Sequence, residues 1–321
     1  MPWFHFQFND FAFSFLSILL EGVPFLLLGS LISGFVDVFV SSERIARLLP
    51  GNKAGSILIS GLLGLIFPMC ECGSVIVIRR FIKKGLPLST AVTYMLAAPI
   101  VSPIVALSTF AAFKGQNPWL MTSLRLVIGY CIAVVIGLIV RQIPSSALLQ
   151  PAAGGESEGR NRTGLTTAAL PSEQDFSALV ESSSPRQKVL LAIQSATADF
   201  LDVAFFLIIG VTITSVFNTA VNQGIILPYA TNPPVAILVL MGLAAALALC
   251  STTDAFVAAS FATFPAEAKL AFLLFGPMFD LKLFWLYALI FKRRAVIILA
   301  FGLLIVIALI CWRLGAIGIW S

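Results

Sequence analysis

Residues 64–85 read GLIFPMCECGSVIVIRRFIKKG, and how this stretch folds decides how the chain can cross a membrane. Pro68 has no backbone N–H and Gly73 is conformationally permissive, so a helix arriving from residue 54 is expected to break around Cys70, Glu71 and Cys72. In an unbroken helix, residues two apart point about 200° away from each other, and the two thiols could not face one small ion. A break releases both thiols and nearby carbonyls toward a permeation path, in protein or along a cavity but not in lipid. The competing reading is that Cys70 and Cys72 are small apolar packing residues. CxC spacing points to metal far less than paired CxxC motifs do, so Cys70 and Cys72 enter only as candidate metal ligands.

The rest of the chain supports a membrane setting. Of 321 residues, 59% are hydrophobic and 11% charged, where a soluble domain has roughly 45–50% and about 25%. Mean hydropathy is +1.00, more apolar surface than one water-soluble core of this length could bury. The five cysteines lie in apolar stretches, which excludes a secreted disulfide framework, and His5 is the only histidine. The N-terminus has no basic region ahead of its apolar run, so no removable signal peptide is expected. The net charge of +5 sits mostly at segment ends and in a linker, which fits lipid headgroups and not nucleic acid. There is no phosphate-binding glycine loop, Walker motif or histidine-based zinc motif, so neither ATP hydrolysis nor any cofactor is expected.

Eight stretches are long enough to cross a hydrocarbon core: 11–40, 54–78, 86–113, 118–140, 196–221, 233–262, 268–291 and 295–319. The expected fold is therefore all-α, with about eight transmembrane helices in two four-helix repeats. The first repeat spans 1–141, a disordered hydrophilic linker spans 142–195, and the second repeat spans 196–321. Gly29 and Gly210, Cys70 and Cys250, Pro99 and Pro277, and Lys114 and Lys292 stand 181, 180, 178 and 178 residues apart, and Glu21 and Asp202 each precede their glycine by eight. That spacing suggests internal duplication, as transporters often show. Eight crossings with both termini inside put ten basic residues, including Arg141 and Lys269, inside and seven, including Lys114 and Lys292, outside. Four crossings per half make the repeats parallel; a re-entrant cysteine-bearing segment would invert them.

Acids within apolar runs form the second signal. Glu21, Glu71, Asp202, Asp254 and Asp280 would each cost roughly 2.5–3.5 kcal/mol facing lipid, so they are expected to face a cavity, a partner or the interior. Arg125 and Lys282 are the intramembrane cations available for structural salt bridges. Glu21 and Asp202 are the expected pair for proton or cation coupling. Cys250 and Asp254 share the polar cluster CSTTD, with the competing reading that its hydroxyls simply bond back to their own helix. Pro99 with Ser102, and Pro277 with Asp280, mark helix interruptions in both halves that either free carbonyls for a solute or only kink the helices.

FPMCECGSVIVIRRFIKKGLPLSTAVTYMLAAPIVSPIVALST (67–109), CSTTDAFVAASF (250–261), KLAFLLFGPMFDLKL (269–283) and EGVPFLLLGSLISGF (21–35) together resemble the bacterial family of predicted permeases that includes the arsenical permease ArsP. The resemblance implies eight spans and, for some members, efflux of trivalent organoarsenicals or soft metal ions. It carries over to Cys70, Glu71, Cys72 and Gly73, to Ala98 and Pro99, to Asp254, and to Pro277 and Asp280. Ser102 stands where asparagine is common in the family, and Ile76 where proline is common. The leading expectation is a multi-pass permease of the cell membrane, not an enzyme, exporting a soft thiol-seeking solute and open to homo-oligomerisation. The alternatives are a membrane thiol-disulfide oxidoreductase using Cys70 and Cys72, and a non-transporting membrane subunit.

Overall fold

The computed structural model describes residues 8–39, 54–65, 69–83, 85–150, 185–220 and 232–320. Among them the regular structure is helical, apart from one isolated antiparallel bridge between Leu149 and Phe291. The helices are α1 (Phe8–Phe39), α2 (Ala54–Leu62, extended by a 3-10 turn at Leu63–Leu65), α3 (Glu71–Lys83), α4 (Leu88–Val101), α5 (Pro103–Ala112), α6 (Pro118–Val140) and α7 (Ser145–Leu148). After residue 184 come α8 (Pro185–Ala220), α9 (Pro233–Leu247), α10 (Asp254–Ser260), α11 (Ala266–Met278), α12 (Leu281–Tyr287) and α13 (Arg293–Ile317). Helix α8 begins inside the stretch expected as linker, and residues 151–184 lie outside the described residues.

Proline chemistry explains two interruptions. Pro103 excludes the residue before it from helical geometry, so Ser102 is extended (φ −58°, ψ 135°) and separates α4 from α5. Pro277 removes a donor near the end of α11, and the chain turns extended at Phe279 and Asp280 before α12 begins. The third interruption has no proline: α9 ends at Ala248 in the left-handed region (φ 46°, ψ 45°), a conformation that costs an alanine about 1–2 kcal/mol. The fourth, between α2 and α3, falls partly on residues 66–68, which lie outside the described residues.

These breaks change the expected path. At the end of α6, a Cβ on Gly137 would meet Ile57 of α2 together with Thr93 and the Ser89 carbonyl of α4. One on Gly64, beyond α2, would lie 2.6 Å from the Cα of Ala98 in the last turn of α4. Helix α2 therefore runs beside α4 in the same direction. Helix α3 returns, and a turn closed by the Leu86 N–H on the Phe81 carbonyl (2.9 Å) feeds α4. The stretch expected as a single crossing at 54–78 is thus a hairpin that comes back to the end where α4 starts. The stretch expected as a crossing at 233–262 is also broken, into α9, packed on α11 and α13, and the short α10.

Hydrogen bonds fix which loops share an end. Gln116, between α5 and α6, accepts from Lys269 Nζ (2.8 Å) and donates to the Ala259 carbonyl at the end of α10 (3.4 Å). At the other end Gln150 donates to the Ala288 carbonyl (2.6 Å), and Lys292 Nζ to the Ser146 carbonyl (2.5 Å). The loop holding Lys114 and the residue Lys269, expected on opposite sides, share one end, and the segment after Arg141 joins Lys292 at the other. The expected row of eight separate crossings is therefore not observed. Among the described residues, five helices are long and apolar enough to span a membrane: Leu88–Ala112, Pro118–Val140, Arg186–Val216, Ala266–Tyr287 and Arg293–Ile317.

The long helices α1 and α8 pack on each other through small residues. A Cβ on Gly34 would collide with the Ala192 carbonyl and stand 2.8 Å from Ala196 Cβ, so the backbones touch where lipid would otherwise have to fill the gap. Gly34→Leu is expected to lower stability in detergent by about 1–3 kcal/mol through overpacking. Gly55→Ala, where a Cβ meets nothing within 4 Å, is expected to leave the same thermal unfolding curve nearly unmoved.

Candidate functional site

The interruptions before α3, α10 and α12 meet in a buried polar layer. Glu71 opens α3, Asp254 opens α10 and Asp280 precedes α12; they are 1%, 1% and 0% exposed. Carboxylates at helix N-termini are favoured by the free N–H groups and the helix dipole. Asp280 uses this directly, its Oδ1 accepting from the Leu283 N–H at 2.7 Å. The α11 end is closed by Tyr287, whose hydroxyl donates to the Met278 carbonyl (3.0 Å).

Each acid faces a buried cation. Lys282 Nζ donates to Glu71 Oε1 (2.8 Å) and to the Ala248 carbonyl (3.0 Å), with the Leu249 carbonyl at 3.5 Å and Asp280 Oδ2 at 3.6 Å. Arg125, 0% exposed, donates to Asp254 Oδ2 (2.7 Å), to Thr109 Oγ1 (2.7 Å) and to the Ser251 carbonyl (3.0 Å). The two cations thus hold the unwound 248–253 segment from both sides, through its carbonyls. Lys282 supplies an acceptor's partner to the strained Ala248, whose freed carbonyl would otherwise be buried unpaired. Salt bridging, the structural alternative for these acids, is what the geometry displays for Glu71, Asp254 and Asp280.

The thiols lie beside this layer. Cys70 Sγ accepts the Gly73 N–H (3.3 Å), capping α3 where a serine or aspartate would ordinarily do so. Gly73 also lets α1 approach: a Cβ on Gly29 would lie 2.9 Å from its Cα. Cys70, Cys72 and Cys250 are buried, and Thr252 Oγ1 donates to Cys250 Sγ (3.7 Å). Among the described residues no group of three or more His, Cys, Asp and Glu side chains is arranged to hold a metal ion, so Cys70 and Cys72 supply two donors at most to any such site. Pro99, Ser102 and Pro277 are buried at their helix interruptions. Glu21 and Asp202 sit in the mutually packed α1 and α8, and their side chains lie outside the described residues.

One ion pair was not legible in the sequence. Arg80, in the basic run RRFIKK, makes a two-pronged contact with Asp199 of α8, Nε to Oδ2 at 2.8 Å and an NH2 nitrogen to Oδ1 at 2.9 Å. The same guanidinium reaches Ser195 Oγ (2.8 Å), while Ser33 of α1 donates to Asp199 (2.8 Å). Arg80 reads as a segment-end charge, and the signal for its role was Asp199, a further acid one turn before Asp202 in an apolar helix. Arg125→Leu is expected to destabilise by about 3–5 kcal/mol because Asp254 is left buried and unpaired, while Arg125→Leu with Asp254→Leu recovers most of that loss, as read by chemical denaturation in detergent.

A protein-family model described as ArsP_1, predicted permease, matches residues 7–313. The UPF0718 protein YcgR of Bacillus subtilis (strain 168) is 36% identical over 295 residues, 91% of this chain and 92% of the relative. A protein of Streptococcus mutans serotype c named putative two-component membrane permease complex subunit is 34% identical over 285 residues, 88% of this chain and 87% of the relative. No solved structure matches. With its long apolar helices, its buried ion pairs and a family match over nearly its whole length, the chain is a multi-pass membrane protein and belongs to the ArsP_1 family of predicted permeases.

Proposed function

We propose that this chain is a secondary-active permease of the cell membrane that exports a soft, thiol-seeking solute, either a trivalent organoarsenical or a soft metal ion. The observation that carries the reading is the pairing of thiols with interrupted helices. Cys70 and Cys72 stand at the start of α3, Cys250 stands in the unwound segment before α10, and broken helices of this kind are where transporters expose backbone carbonyls and side chains to a solute. Thiolates favour soft ions and trivalent arsenic over hard cations. Glu71, Asp254 and Asp280, with Pro99, Ser102 and Pro277 at the interruptions, complete the proposed path, and Glu21 and Asp202 on α1 and α8 are the proposed coupling acids.

The same reading gives the halves a mechanical role. Residues 1–141 and 196–321 are proposed as two repeats of one unit. Each runs as a long helix, a broken hairpin, a helix interrupted beyond a buried proline, and a final long helix. Because α2 and α3 return to one end and loops such as 113–117 and 288–292 stand at opposite ends, the repeats are proposed to be inverted relative to each other. Inverted repeats around a central site are the arrangement that alternating access exploits. Thiol-disulfide exchange finds no support in the comparisons.

The streptococcal relative is named as a complex subunit, which favours a partner subunit for this chain as well. Co-purification from native membranes is expected to bring down a second integral membrane protein in stoichiometric amount. For the solute, a deletion strain is expected to regain resistance to a trivalent organoarsenical or a soft metal with the intact gene. Cys70→Ser is expected to return it to the level of the empty vector at unchanged protein abundance. Full resistance with Cys70→Ser removes this thiol from the mechanism.

A further inference from the structure

The surroundings of Lys282 Nζ are those of a coordinated cation. Its ammonium group takes one carboxylate oxygen from Glu71 at 2.8 Å and one backbone carbonyl from Ala248 at 3.0 Å; the Leu249 carbonyl and Asp280 Oδ2 complete the shell at 3.5 and 3.6 Å. The four oxygens come from three separate elements: the start of α3, the unwound segment after α9, and the residue before α12. Two further features exceed what a salt bridge needs. Glu71 Oε2 and Asp280 Oδ2, both fully buried, have no hydrogen-bond partner among the described residues. The Ala248 carbonyl is aimed at the site by a left-handed backbone at a residue with a Cβ.

We infer that this oxygen cage is a binding site for a monovalent inorganic cation of the alkali-metal class, filled in this conformation by the protein's own lysine. Two carboxylates and two carbonyls replace a hydration shell for an ammonium ion much as they would for sodium or potassium, and unwound backbone carbonyls serve that purpose in transporters. When Lys282 withdraws, the cage carries two carboxylates against no cation, a charge that the low-dielectric interior cannot leave uncompensated. A solute cation then takes the lysine's place. The place of this exchange in a transport cycle rests on the permease reading, since Glu71 lies between Cys70 and Cys72 and its release would free both neighbours. The binding itself does not rest on that reading.

The test uses the full chain in detergent at constant ionic strength, with potassium, sodium or N-methylglucamine chloride, the last too large for the cage. Wild type is expected to unfold at one temperature in all three salts. Lys282→Ala is expected to unfold at a lower temperature in N-methylglucamine and to regain about 2–4 °C or more, saturably, with potassium or sodium. Adding Glu71→Gln to Lys282→Ala is expected to abolish that recovery. Equal unfolding of Lys282→Ala in all three salts overturns the inference, and so does a wild type that responds as strongly as the variant. Should Lys282→Ala not be recovered folded, Lys282→Ser serves in its place: recovery of either variant only from potassium or sodium buffers supports the site, and failure in every buffer counts against it. These outcomes are read without any transported solute, so they stand apart from the resistance result with Cys70→Ser.

Discussion

A carboxylate that lipid cannot solvate must find its counter-charge inside the protein, and in this molecule that requirement ties the two halves of the chain together. Glu71 of the first half is held by Lys282 of the second, Asp254 of the second by Arg125 of the first, and Asp199 of the second by Arg80 of the first. Losing one partner from any of these pairs leaves a buried charge uncompensated, which costs far more than the pair contributes when intact. The contacts are therefore better understood as fixing register than as stabilising the fold outright. They determine where the helices may break, because the carbonyls freed at 248–251 become acceptors for the same two buried cations.

Around that constraint the rest of the architecture follows. The helix α12 begins just after Asp280 because its carboxylate caps it, and that places Lys282 at the second position of the helix, facing Glu71. The helix α3 begins at Glu71 because Cys70 caps it through sulfur, which holds the thiol at the edge of the polar layer. Small residues then let the backbones close in: Gly29 on Gly73, Gly64 on Ala98, Gly210 on Lys282. Van der Waals contact of this kind, and not burial from water, is what holds helices together in lipid.

Much of this could be read from the chain. The break at Ser102 follows from Pro103, the interruption near Phe279 from Pro277, and salt bridging of buried acids by Arg125 or Lys282 from the cost of lone charges in apolar runs, though which acid meets which cation does not follow from the sequence. The break near Cys70 is legible in Pro68 and Gly73, and a re-entrant cysteine-bearing segment stands among the alternatives, but the sequence along 54–78 and 233–262 does not say in which direction the chain leaves the break. Ala248 gave no signal at all, since an alanine in the left-handed region is fixed by tertiary contacts and not by its own preference. Arg80 was misleading for a different reason. A basic residue in a run of four reads as headgroup contact unless its partner, Asp199, is seen across α8.

The central claim is that Cys70 and Cys72 stand on a solute path and are not packing residues. The direct measurement is the reactivity of these two thiols in intact membranes, in a chain whose Cys131, Cys250 and Cys311 are replaced, toward a small charged methanethiosulfonate reagent with and without a trivalent arsenical. The account predicts slow labelling by the charged reagent and protection by the arsenical. Labelling only by lipophilic maleimides, unchanged by the arsenical, would contradict it.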